Sequence, residues 1–108
     1  MTNTTEDILD DLATIIMDLG AIREQTIDST DRAALNSQIM ALSKWWRKID
    51  HIRASEPDER LADSVSRLDE ITKELKKEKK KLQNIAKVIH RAAQAIAIAE
   101  KVATLVAA

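Results

Sequence analysis

The sequence predicts an all-α protein, and three observations carry that expectation. Gly and Pro occur once each, as Gly20 and Pro57, whereas a sheet protein needs turn residues every few positions. Tyr and Phe are absent, and Trp45 and Trp46 are the only aromatics, so the aromatic residues that strands favour are missing. Ala, Leu, Ile, Glu, Lys and Asp take their place, and most of these are residues that lose little on entering a helix. At 108 residues the chain is expected to form a single helical domain over 1–108 with one modest core.

The first helix is expected over about 5–27. Thr4 followed by Asp7 suits an N-terminal cap, with acids in the first turn where the helix dipole favours them. Ile8, Leu12, Ile15, Ile16, Leu19 and Ile22 recur at helical spacing as one apolar stripe. Asp10, Asp11, Asp18 and Gln25 are assigned to the wet side. Gly20 interrupts without ending the pattern, as a place of close packing or a weak spot.

Asp28, Ser29 and Thr30 are capping residues, so the chain stops and restarts there. A second helix is expected over about 31–54, buried through Leu35, Ile39, Leu42, Trp46, Ile49 and Ile52. So short a loop makes the two helices antiparallel neighbours. In the next break, Ser55 and Asp58 have capping-box spacing, and Pro57 suits a first turn.

Beyond Pro57 there is no further Gly or Pro. A third helix over about 56–106 would span roughly 75 Å if unbroken. The expected architecture is therefore a helical hairpin packed on a long or broken third helix, a three- to four-helix bundle that oligomerises. Leu61, Val65, Leu68, Ile71, Leu75 and Leu82 project to one face. From Ile85 onward the apolar residues rotate by about a third of a turn, more than ordinary helical drift over this length. Either the helix breaks near Asn84, which could cap a new helix, or its C-terminal half packs against a different partner. A sub-boundary at 83–85 would then separate an Ala-rich C-terminal helix, apolar over most of its circumference and in need of cover on several sides.

The formal net charge of −1 hides an asymmetry. Residues 1–27 carry −5, 28–57 carry +1, 58–72 carry −3 and 73–108 carry +6. The lysine run holds Lys73, Lys76, Lys77, Lys80 and Lys81 opposite the buried stripe, so it reads first as the solvated back of a helix. Glu74 and Glu78 lie at spacings that allow intrahelical pairs with it. Read instead as a nucleic-acid surface, it lacks interleaved aromatics or arginines.

Chemistry is largely excluded. Without cysteine there are no disulfides, thiolates or Cys-based zinc sites. His51 and His90 have lysines three residues before them, so no Glu-x-x-His metal pair exists. No glycine-rich loop can cradle a phosphate, and neither a cofactor nor an enzymatic activity is expected. The acidic N-terminus has no basic segment before its apolar residues, and no window is long and apolar enough for a membrane span. A cytoplasmic location is the expectation.

Trp45, Arg47 and Lys48 are singled out as a partner-binding site, because Trp and Arg are enriched at interface hot spots. Ile85, Ile89, Ile96, Ile98, Val102 and Leu105 are assigned to an oligomer or membrane face. The leading expectation is a non-catalytic protein–protein interaction module, of inhibitor, immunity or assembly-adaptor type, that self-associates through its C-terminal helix. One alternative is a membrane-active helical protein that uses the same face. The other is salt-dependent nucleic-acid binding through the lysine run.

Overall fold

The computed structural model describes residues 4–52 and 58–107. Thr4 opens α1 (Thr5–Gln25) with the expected capping box. Its hydroxyl accepts the Asp7 amide at 3.3 Å, and its own amide donates to the Asp7 carboxylate at 3.2 Å, satisfying two donors that a helix start leaves open. Asp28 caps α2 (Ser29–Ile52) by accepting the Asp31 amide at 2.9 Å. After a 3-10 turn at Glu59–Leu61 come α3 (Ala62–Lys80) and α4 (Ile85–Ala107). Ser55, Pro57 and the last residues expected for the second helix lie outside the described residues; Asp58 caps the 3-10 turn, accepting the Arg60 amide at 2.9 Å, so α3 begins at Ala62 and not near 56 as expected.

The third helix is broken, at the residue the rotation of its stripe indicated. Asn84 caps α4, its side-chain oxygen accepting the Lys87 amide at 3.0 Å. The molecule's longest dimension is 42 Å, about half what one unbroken helix would need. Glu78 holds the turn by accepting the amides of Gln83 and Asn84 at 3.2 and 2.7 Å. Gln25 clamps the same turn from outside, donating to the Lys79 carbonyl and accepting the Leu82 amide.

Four helices form a square in which α1 and α4 each lie beside α2 and α3. Consecutive helices make antiparallel hairpins. The indole of Trp46, late in α2, donates to the Leu9 carbonyl early in α1 at 3.0 Å, and Arg91 of α4 pairs with Glu74 of α3 at 2.9 Å. The two hairpins then stack like on like. Helices α1 and α3 run parallel, with Asp18 meeting Lys79 at 3.1 Å and Gln25 meeting Lys79 and Leu82 one to two turns on. Helices α2 and α4 are also parallel, with Gln38 donating to the Ile89 carbonyl at 2.8 Å and Ile52 beside Ala107.

One core runs through all four helices, including both sides of the 81–84 turn. Ile8, Leu12, Ile15, Leu19 and Ile22 of the expected α1 stripe are buried, joined by Leu9, while Ile16 is half-buried. In α2 only Leu35, Leu42 and Ile49 are fully buried; Ile39, Trp46 and Ile52 form a half-buried margin. Burial of a large aliphatic side chain contributes about 1.5–3 kcal/mol, so the stripes supply the main driving force.

The C-terminal helix finds its cover inside the chain. Val88, Ala92, Ala95, Ile98, Ala99, Val102 and Ala103 are buried, and its alanines let the backbone come close to the neighbouring helices. Much of the cover that its apolar circumference needs is therefore supplied by the chain's own helices. One correction concerns Asp18, which is not on the wet side but 2% exposed. The Lys79 ammonium reaches in to neutralise it, as a buried carboxylate requires. Another concerns Gly20: nothing lies within 4 Å of where its Cβ would be, so close packing is not the reason for glycine there.

Candidate functional site

Trp45 and Trp46 are consecutive, so on a helix they point about 100° apart and meet different neighbours. Trp46 turns towards α1. With Ala13, Ile16, Met17, Ser43 and Arg47 it lines an open, mainly apolar groove of about 270 Å³ between α1 and α2. The hydrogen bond to Leu9 fixes its indole as one wall. Met17 is 74% exposed on one side; Met40, on the stripe that carries Ser43 and Arg47, is 66% exposed on the other. Open space at Gly20 continues the surface by one more turn.

Trp45 turns towards α4. The ammonium groups of Lys44 and Lys48 lie 5.6 and 5.3 Å from its ring centre, within cation–π range. With Lys48, Ile52, Glu100, Ala103, Thr104 and Ala107 it lines a shallower cleft of about 210 Å³ between α2 and α4. The three residues singled out as one site are thus divided between two grooves, with Arg47 in the first and Trp45 and Lys48 in the second.

The proposed oligomer or membrane face is mostly occupied by the fold. Ile98 is 3% exposed and Val102 fully buried; Ile85, Ile89, Ile96 and Leu105 are half-buried against the core. The basic patch is placed as its projection indicated, with Lys73, Lys76, Lys77, Lys80 and Lys81 all exposed on α3 and the turn after it. Lys73 pairs with Asp69 at 3.1 Å. Glu74 and Glu78, expected to pair with these lysines, instead hold Arg91 and the 81–84 turn.

A third concavity lies between α1 and α3, where Asp7, Asp10, Asp11 and Asp69 gather beside Val65. Burial pushes the Asp11 carboxyl up to about 6, the neighbouring carboxylates of Asp69, Asp7 and Asp10 push the same way, and Lys76 partly opposes them. Among the described residues no group of His, Cys, Asp or Glu is arranged to hold a metal ion. His51 and His90 are exposed on separate helices. No helix among the described residues is long and apolar enough to cross a membrane.

Sequence reading missed Met17, Met40 and Ser43. The available signal was two methionines outside the apolar stripes of both hairpin helices. Comparison with family models, curated proteins and solved structures finds no match.

Proposed function

We propose that the chain is a non-catalytic interaction module that receives an amphipathic helix of a partner protein in the α1–α2 groove. The observation that carries it is an apolar groove walled by Trp46 and lined by the exposed Met17, with a second exposed methionine, Met40, one turn before Ser43 on the same stripe of α2. Methionine is flexible and polarizable and adapts to an incoming apolar side chain. A straight groove between two antiparallel helices matches the helix-in-groove mode, in which residues at i, i+3 or i+4 and i+7 supply the anchors.

Charge narrows the partner's chemistry. Among the described residues that line the groove Arg47 is the only ionised one, and it has no ion pair among the described residues, so a carboxylate beside the apolar anchors of the incoming helix would be favoured. Self-association through α4 has less support, because Ile98 and Val102 are committed to the chain's own core.

The test is a titration with two amphipathic helical peptides of about 18 residues, identical but for Glu or Lys flanking the leucine anchors. The Glu peptide is expected to bind more tightly, and Arg47→Glu to reverse the preference. Equal binding of both peptides, or none, would contradict the assignment.

A further inference from the structure

The end of the bundle formed by the two hairpin turns carries an exposed aliphatic residue inside a field of cations. Ile27, in the α1–α2 turn, is 96% exposed, the most exposed large apolar side chain in the described chain. Two residues before it, Gln25 is hydrogen-bonded to the Lys79 carbonyl and the Leu82 amide, so the α1–α2 turn sits beside the α3–α4 turn. Lys77, Lys80, Lys81 and Lys87 are exposed around that second turn. Arg32 joins them from α2, its guanidinium anchored on the Thr26 carbonyl at 3.1 Å.

The acids at this end only partly cancel the field. Asp18 is paired with Lys79 and Glu24 with Arg23. Asp28, Asp31 and Glu78 keep their charge, the first and last while accepting backbone amides, against the five cations Arg32, Lys77, Lys80, Lys81 and Lys87. At the opposite end lie Glu6, Asp7, Asp10, Asp58, Glu59 and Asp63, because the parallel stacking of α1 on α3 brings two acidic N-termini together. A molecule so polarised presents its cationic end to an anionic surface.

The geometry points to peripheral docking of this tip on an anionic lipid surface, with Ile27 entering the headgroup boundary and the surrounding lysines meeting lipid phosphates and carboxylates. A basic patch alone would suit nucleic acid as well. An exposed aliphatic residue gains nothing against phosphates, and single-stranded nucleic acid is held by stacking on aromatics, yet both tryptophans are elsewhere, Trp46 beside Leu9 near the acidic end. Lipid has a use for both features: cations near an anionic leaflet attract, and an apolar side chain gains by leaving water. This docking uses neither the α1–α2 groove nor any opening of α4.

Sedimentation with phosphatidylcholine vesicles, with and without 30 mol% phosphatidylserine, tests it. Binding to the anionic vesicles is expected, lost as salt rises from 50 to 300 mM. Each lysine removed should weaken partitioning about fivefold, so Lys80→Ala with Lys81→Ala costs roughly 25-fold, and Ile27→Ser costs about tenfold or more. All three side chains are exposed, and unchanged helical circular dichroism verifies the fold of each variant. Tryptophan emission should not move, because the indoles stay outside the lipid. No preference for anionic vesicles would overturn the inference, as would indifference to Ile27→Ser or a blue shift of the tryptophans. So would binding to a single-stranded oligonucleotide as tight as to vesicles and equally dependent on the lysines.

Discussion

Asp11 is held in an unfavourable place by its neighbours, and the consequence is measurable. Its folded-state pKa of about 6 stands above the ordinary 3.8, so the folded protein binds this proton more tightly than the unfolded chain does. Stability contributed by this group therefore rises as pH falls through about 6 towards about 4, and is absent above that window. Asp11→Asn removes the charge and is expected to raise stability at pH 7 by about 1 kcal/mol, after allowance for screening at a half-exposed site. By about pH 4 the gain should largely vanish. Urea unfolding at both pH values checks it; equal stability of variant and parent at pH 7 would count against it. Gly20 is the other weak point. It lies inside α1, has no positive φ, and leaves open space where a Cβ would be. Gly20→Ala is expected to stabilise by about 1 kcal/mol, readable as a rise in Tm; a fall would show that the position is sterically required to be glycine.

At the scale of elements, the starts of α1, α2 and α4 were legible because capping chemistry is local; α3 begins at Ala62 rather than near 56, behind a 3-10 turn, and its cap residue Leu61 makes no side-chain hydrogen bond. Thr4 with Asp7, Asp28 and Asn84 each sit where a short polar side chain can reach its own backbone a turn ahead. Where α3 ends was less legible. The lysine run has good helix propensity throughout, and the break depends on Glu78 turning back to the amides of Gln83 and Asn84 and on Gln25 reaching across from α1. Only the second is a contact distant in sequence, but neither shows in propensity or period. Asp18 was misassigned for a related reason: an acid beside an apolar stripe reads as wet unless the lysine that will neutralise it is known. Asn84→Ala should cost about 1 kcal/mol through loss of the α4 cap, measured by urea unfolding. Deletion of residues 85–108 tests the element as a whole. With Val88, Ala92, Ile98 and Val102 in the core, it is expected to abolish cooperative unfolding. A truncated chain that still unfolds cooperatively would show that α4 is an appendage.

For the whole molecule, fold class followed from composition, but arrangement did not. Four amphipathic helices with short turns can form a square in several ways, and the meeting of Asp18 with Lys79 and of Gln38 with Ile89 shows which helices stack in parallel. That arrangement decides where the candidate sites fall. It turns a charge asymmetry along the sequence into one along the bundle, and it buries Ile98 and Val102 of the α4 face that the sequence offered as an interface, leaving Ile85, Ile89, Ile96 and Leu105 half-buried. It also leaves the outer side of the first hairpin apolar and uncovered. The central functional claim is that this side, bounded by Met17 and Met40, receives a partner helix. The chain contains three methionines, so a sample labelled with carbon-13 at the methionine methyls gives a spectrum simple enough to assign by substitution. Titration with the Glu-flanked helical peptide is expected to shift the Met17 and Met40 signals together, saturating at one peptide per chain, and Arg47→Glu should weaken that response about tenfold, the effect of losing one favourable charge pair at an interface. Signals of Met17 and Met40 that stay in place while the peptide binds, or while a peptide excess fails to bind, would contradict the account.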